Sequence, residues 1–246
     1  MTCEILAVGT ELLLGDILNT NARYLARELA ALGFGVLHQE VVGDNPGRLR
    51  DAVREALSRS DILLTTGGLG PTGDDITRET VAEALGLELL PDAESLRRIR
   101  RYFTSTDRQM TDNNRKQAML PRGAVVFPND WGTAPGCAVE HGGKIVIMLP
   151  GPPRELVPLF IHSVRPYLAR FSEGVIRSAS VRVFGIPEST LQAMLGDMMK
   201  GANPTLSPYA KDGEVLLRAT ARAKDAETAD RMLRPVTDEL RKRLGD

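Results

Sequence analysis

The sequence predicts an α/β fold with a mostly parallel sheet, followed by a small α+β domain. Three features predict it. Short apolar runs such as Ile5-Leu6-Ala7-Val8 and Ile62-Leu63-Leu64-Thr65 lack polar alternation, the form of strands buried on both faces. Helical patterns alternate with these runs through short loops, which gives right-handed crossovers and helices on both sides of the sheet. After Ser172-Glu173-Gly174 the runs instead alternate apolar and polar residues, as half-exposed strands do.

In chain order, Ile5 to Val8 is a strand closed by the loop Gly9-Thr10-Glu11. Leu12-Leu13-Leu14-Gly15-Asp16 leads to a capping cluster, Asn19-Thr20-Asn21. A helix follows, with Tyr24, Leu25, Leu29 and Leu32 at three-to-four spacing and Gly33 as its stop. Val36 to Val42 is the second strand, ending at Gly43-Asp44-Asn45-Pro46. Arg48 to Leu57 is helical, with Leu49, Val53, Ala56 and Leu57 on one face. The third strand, Ile62 to Thr65, feeds a glycine-rich loop, and Glu79 to Leu85 continues it as a helix. Leu96 to Phe103 and Asn114 to Met119 have helical patterns. Ala124 to Phe127, Cys137 to Val139 and Lys144 to Leu149 read as strands. An amphipathic helix opens at Pro152-Pro153 and runs to about Phe171, bent or divided by Pro158 and Pro166. These elements assign residues 1–171 to the first domain. In the second, 172–246, Ser180 to Phe184 is a strand and Glu188 to Met199 a helix. Thr205 to Ala210 and Glu214 to Ala221 form a hairpin around Lys211-Asp212-Gly213, and Ala226 to Leu244 is a closing helix.

The totals exclude several classes. Lys+Arg at 31 against Asp+Glu at 32 leaves a net charge of -1, so no global basic surface attracts nucleic acid. Aromatics at 4% argue against a base-stacking surface. No apolar run approaches the roughly 20 residues of a membrane span, and no signal pattern opens the chain. The two cysteines, Cys3 and Cys137, are expected as buried thiols in a reducing cytoplasm. The scattered His38, His141 and His162 offer no histidine metal site.

The chemistry gathers in Thr66-Gly67-Gly68-Leu69-Gly70-Pro71-Thr72-Gly73-Asp74-Asp75. A strand, a glycine loop and a helix start together make an anion site, since free amides and the helix dipole point into the loop. Ligands of parallel sheets sit beyond the carboxyl ends of the strands, where the loops carry polar groups. Glu11, Asp44 and the pair Asp74 and Asp75 fall at such ends, and Gly151-Pro152 at a fourth. Taken singly each acid has an ordinary explanation, as loop residue, turn former or helix cap. Together they predict a cleft with convergent polar groups.

Gly68 to Gly73 satisfies G-x-G-x-x-G, but it follows the third strand, and two acids would repel a pyrophosphate at the helix start. No Lys-Ser or Lys-Thr completes a Walker loop. Carboxylates beside a phosphate cradle become favourable with a divalent cation between them, and Mg²⁺ is typically held by one or two carboxylates plus phosphate oxygens. Asp74, Asp75 and Glu11 are the candidate ligands for such an ion, with Asp44 beside them. Gly9, Thr10, Thr72, Asn19 and Asn21 are candidates to orient the substrate. Lys116 and Arg115 are candidates to neutralise phosphate charge, or are simply a solvated pair.

These residues carry a resemblance. Gly9-Thr10-Glu11-Leu12-Leu13-Leu14-Gly15, Asn19-Thr20-Asn21, Val42-Gly43-Asp44-Asn45 and Thr66 through Glu79 resemble the competence/damage-inducible CinA family. So do Asn113 through Ala118, Gly132-Thr133-Ala134-Pro135-Gly136 and Leu149 through Glu155. The resemblance spans essentially the whole chain. It implies a first domain of the molybdopterin-binding MoaB/MogA type, a three-layer α/β sandwich with a mostly parallel sheet, and a second of KH type. It places Asp75 in the glycine-loop site, with Glu11 and Asp44 lining it. It implies a divalent metal cofactor, a nucleotide substrate and a homo-oligomer, with a dimer favoured. The Gly-x-x-Gly loop of RNA-binding KH modules is absent from 172–246, so RNA binding is not carried over. Longer members add a nicotinamide-mononucleotide deamidase domain beyond the position of Asp246, so that activity is expected of a separate partner.

Three functions follow from this reading. The leading one is metal-dependent hydrolysis of ADP-ribose to AMP and ribose 5-phosphate by Asp75, Asp74 and Asp44. In it Gly67, Gly68, Gly70, Gly73, Gly151 and Pro152 surround the substrate. The others are molybdopterin binding or adenylylation, and a non-catalytic nucleotide-binding module linked to competence or DNA damage.

Overall fold

Residues without polar alternation become the strands of a six-stranded sheet. In a computed structural model, which describes residues 1–245, the first strands are β1 (Thr2–Val8), β2 (Gly35–Val42) and β3 (Ile62–Thr66). Helices α1 (Thr10–Leu14), α2 (Thr20–Ala31) and α3 (Pro46–Arg59) connect them, and α4 (Thr77–Leu85) follows β3. Next come β4 (Leu89–Pro91), α5 (Ala93–Ser105), a 3₁₀ helix over Asp112–Ala118, β5 (Met119–Pro121), β6 (Val125–Phe127), β7 (Gly136–His141) and β8 (Lys144–Leu149). Helix α6 (Pro153–Leu159) runs through a π-helical turn, Phe160–Val164, into α7 (Arg165–Ala169).

The sheet order is β2-β1-β3-β8-β7-β6. Strands β2, β1, β3 and β8 pair in parallel, and β7 and β6 are added antiparallel. Parallel register puts Ile5, Leu64 and Ile147 side by side on one face. Leu6, Leu63, Val146 and Met148 lie on the other, and none of the seven is more than 1% exposed. The second face packs on Leu49, Val53 and Ala56 of α3 and Val81 of α4. Leu25 and Leu29 of α2, with Leu156, Phe160 and Leu168, are fully buried in the layer over the first. Each such side chain contributes about 1.5–3 kcal/mol on leaving water. The result is an α/β sandwich of three layers.

Several local expectations are corrected. Thr10–Leu14 is a short helix rather than a plain loop, ended by Gly15 at φ 78°. The helix expected over 114–119 is a 3₁₀ segment over Asp112–Ala118, and Met119–Pro121 turns away from it to pair with Leu89–Pro91. That two-stranded sheet lacks a sequence signal, being three residues a side with a proline in each. Asp92 caps α5 by accepting from the Ser95 amide at 2.7 Å. Pro158 and Pro166 fall on either side of the π turn and divide the expected long helix as their missing amides require.

The chain folds as two compact units, Met1–Leu29 with Gly35–Phe171 and Ala30–Phe34 with Ser172–Asp246. In the second unit β9 (Val175–Phe184), α8 (Glu188–Leu195), β10 (Thr205–Lys211), β11 (Glu214–Ala223) and α9 (Ala226–Leu244) give an antiparallel sheet in the order β10-β11-β9. Its first strand starts at Val175, five residues before the alternation becomes regular. Its first helix stops at Leu195 before Gly196, and Met198–Lys200 is a separate 3₁₀ turn. Leu191, Leu195, Leu217, Leu233 and Leu240 fill its core.

Candidate functional site

The parallel strands end together, and their loops share one cleft of about 510 Å³. Along the sheet edge it draws on Asp44 after β2, Gly9 and Glu11 after β1, and Gly67 to Asp75 after β3. Gly151 to Glu155 after β8 and Thr133-Ala134 before β7 complete it. Five strands at about 4.8 Å spacing give roughly 19 Å of edge, enough for a dinucleotide-sized ligand. Gly9, Glu11, Asn19, Asn21, Asp44, Gly67, Gly68, Gly70, Asp74, Asp75, Gly151 and Pro152 line it together. Thr10, Thr72, Gly73 and Lys116 are outside this lining.

The glycine loop is held from below. Gly67 takes φ 103°, and a Cβ there would collide with the Val8 carbonyl. Its amide donates to Leu149 O at 3.0 Å, so Gly67 ties β3 to β8 instead of offering an amide to a ligand. Thr77 Oγ1 donates to Gly67 O at 2.8 Å, and the Thr77 amide to Gly68 O at 3.1 Å. Among the described residues the amides of Gly68, Leu69 and Gly70 meet no protein acceptor. Three neighbouring amides without acceptors are what an anion would need at this loop.

Each acid is oriented by one oxygen. Asp44 Oδ2 accepts from the Thr10 amide at 2.9 Å and from Thr10 Oγ1 at 2.8 Å. Asp75 Oδ2 accepts from the Thr72 amide at 2.9 Å, and it lies over Gly70, where a Cβ would collide with it. Thr72 Oγ1 also meets both Asp75 Oδ2 and Asp74 Oδ1. A single hydroxyl proton serves one carboxylate at a time, so the two acids crowd the same group. That hydroxyl bond is the main reason the Asp74 carboxyl is held below the ordinary aspartate range, with its own backbone amide and the Lys116 charge assisting. The Glu11 carboxylate folds back over Gly9, where a Cβ would stand 2.6 Å from Oε1.

These observations set what cation would fit. Among the described residues no group of three or more His, Cys, Asp or Glu side chains converges as a ready-made metal cage. Asp74, Asp75 and Asp44 each leave one carboxylate oxygen without a protein partner. One or two such oxygens plus ligand phosphate is the donor set typical of Mg²⁺, so the acids fit an ion that arrives with its substrate.

The remaining candidates fall as follows. Lys116 Nζ donates to Thr72 O at 2.9 Å and to Asp75 O at 2.5 Å and faces Glu79 at 3.5 Å, so it braces the loop from behind. Asn19 and Asn21 both line the cleft, and Asn19 Oδ1 also accepts from the Ala22 amide at the start of α2. At the start of α6, Gly151, Pro152 and Pro153 line the cleft, and the two prolines bring no amides to it.

Sequence reasoning missed two residues. Arg78 is 2% exposed and donates to Leu69 O at 3.0 Å and Pro135 O at 2.9 Å, clamping the glycine loop to the loop before β7. Burial lowers its guanidinium pKa, and no carboxylate pairs with it among the described residues. Glu155 is 8% exposed in the cleft wall. Asn129 Nδ2 donates to its Oε2 at 2.8 Å, and burial pushes its carboxyl above the ordinary glutamate range. An arginine and a glutamate in first helical turns read as solvated, so only the adjoining Pro-Pro and Gly-rich strings mark them.

The family profile described as "Probable molybdopterin binding domain" matches residues 4–170, and "Damage-inducible protein CinA KH domain" matches 178–246. A "CinA-like protein" of Dictyoglomus turgidum is 55% identical over 247 residues, covering 100% of this chain and 60% of its own length. A "Putative competence-damage inducible protein" of Clostridium novyi is 52% identical over 100% of this chain and 59% of its own. The chain thus spans about three fifths of these relatives. A crystal structure of the protein CinA, described as of unknown function, from Thermoplasma acidophilum superposes with TM-score 0.63 and 35% identity. That match covers 68% of this chain and 98% of the other.

Proposed function

The chain belongs to the CinA family, and from that premise we propose that its first domain is a metal-dependent ADP-ribose pyrophosphatase. The observation that carries this reading is the juxtaposition of three free amides, Gly68 to Gly70, with paired carboxylates that keep open oxygens. Amides alone would suit any anion. Amides beside acids suit a phosphoanhydride with a divalent cation.

In this reading the Gly68–Gly70 amides hold phosphate oxygens, and Arg78 keeps those amides aligned by fixing the Leu69 carbonyl. Asp74 and Asp75 would hold the ion together with ligand phosphate oxygens, while Glu11 and Asp44 line the cleft beside them; the ion would supply charge neutralisation and polarisation of the phosphoryl group. Water adds to phosphorus, the bridging phosphoanhydride bond breaks, and AMP and ribose 5-phosphate leave as phosphomonoester dianions with release of two protons. Ile17 and Leu18, 52% and 84% exposed, give the cleft an apolar lip for a nucleobase. Asp75 is assigned the central place because it alone is fixed by both the amide and the hydroxyl of Thr72.

The test is turnover of ADP-ribose with Mg²⁺, Mn²⁺ or Co²⁺, read as AMP. Asp75→Ala is expected to lower kcat by about 10²-fold or more, the scale of losing an oriented charged group at the reacting centre. Equal turnover by parent and variant, or none by either, would sink the hydrolase. The domain profile favours a second reading, pterin binding. Copurification of a pterin that competes with nucleotide would favour it.

A further inference from the structure

We propose that Asn21 and Glu155 together bind the hydroxyl groups of a ribosyl moiety, fixing which end of the ligand lies at the β8 side of the cleft. This rests on the first domain being a nucleotide site.

Asn21 Nδ2 donates to Gly151 O at 2.6 Å and to Thr66 Oγ1 at 2.9 Å. The Thr66 hydroxyl donates in turn to Pro150 O at 3.1 Å, so towards Asn21 it acts as acceptor. Both partners therefore require the amide nitrogen, which settles the orientation of the side chain. Oδ1 is left buried in the cleft wall with no partner. A buried acceptor without a donor costs about 1–3 kcal/mol, and a small turn of this side chain, which lines the cleft, would bring Oδ1 to a ligand donor.

Glu155 presents the same demand. It lines the cleft four residues beyond Gly151, whose carbonyl Asn21 holds. Asn129 serves Oε2, no cation pairs with the carboxylate among the described residues, and Oε1 has no protein donor. This side of the cleft thus offers two acceptors lacking donors. An adenine edge sets an acceptor nitrogen beside its amino donor and would place lone pair against lone pair. Phosphate oxygens are acceptors throughout. Sugar hydroxyls bring donors alone where donors are wanted, as an acidic residue uses them to hold ribose in dinucleotide sites.

The experiment is calorimetric binding, independent of turnover. It compares AMP with 2′,3′-dideoxy-AMP and ribose 5-phosphate with inorganic phosphate. The intact protein is expected to bind at least one hydroxylated ligand about tenfold or more tighter than its partner lacking hydroxyls. Glu155→Gln and Asn21→Ala are expected to shrink that ratio toward one, each variant being read by the ratio of its own two affinities. The ligand comparison on the parent protein stands even where a variant folds poorly. Equal affinities within both pairs, or no binding of any of the four, would overturn the proposal even if ADP-ribose is hydrolysed. Discrimination without hydrolysis would sink the hydrolase reading and leave this one standing.

Discussion

Glu155 is a charge-bearing group placed where burial opposes its charge. Its folded carboxyl titrates above the ordinary glutamate value, chiefly through desolvation, with the Asn129 bond and the Arg154 charge opposing. The sign follows from linkage. A raised folded pKa adds stability that is fully present below the unfolded value of about 4.3 and is lost as pH rises through the folded one. Glutamine at 155 stays neutral and keeps the Asn129 partner, so it escapes that loss. Urea unfolding of Glu155→Gln and parent between pH 4 and 8 is expected to show the variant gaining on the parent as pH rises. A constant difference would mean that the carboxyl titrates normally. Asp75 shows the opposite case, an acid legible from sequence because it follows the glycine loop. What sequence did not reveal is the pairing of Asp74 and Asp75 on one threonine hydroxyl.

At the scale of elements, β1, β3 and β8 were legible because burial on both faces removes polar alternation, whereas β2, an edge strand with an exposed middle, was marked by its Val-rich ends and the turn residues after it. The second unit's strands were legible because one face is wet. Elements built by pairing alone were not. Met119–Pro121 is held by Leu89–Pro91, a partner about 30 residues away that propensity does not register. Arg78 belongs to this scale, since its side chain ties two loops. It makes two charge-assisted bonds to carbonyls, each worth about 1.5–3 kcal/mol. Arg78→Met keeps the packing stem and removes both. It is expected to destabilise the protein by about 2–4 kcal/mol, read from the urea midpoint, and to raise KM for a phosphate ligand as the Gly68–Gly70 amides lose alignment. A loss of stability with unchanged KM would make Arg78 a purely structural clamp.

At the scale of the molecule, every residue of the cleft comes from the first unit. Residues 1–171 alone are therefore expected to retain ADP-ribose turnover within a few-fold of the full chain, with lower thermal stability. Ala30–Phe34 belong with the second unit, so truncation at 171 removes most of the unit to which these five residues belong. Loss of all turnover by a soluble, folded 1–171 would place part of the site in the second unit.

The position of β8 between β3 and β7 has a temporal consequence. The strand is made some eighty residues after β3, yet it occupies the middle of the sheet. Pairings so distant in sequence carry a large loop-closure cost and form slowly. A nascent chain that has emerged only as far as β7 has its acids and glycine loop but neither the Leu149 carbonyl that anchors Gly67 nor the wall that holds Asn21. The cleft is complete only when the last parallel strand is inserted, so under the proposed hydrolase reading a folding defect in Lys144–Leu149 and a catalytic defect would look alike in an activity assay and differ in the refolding rate.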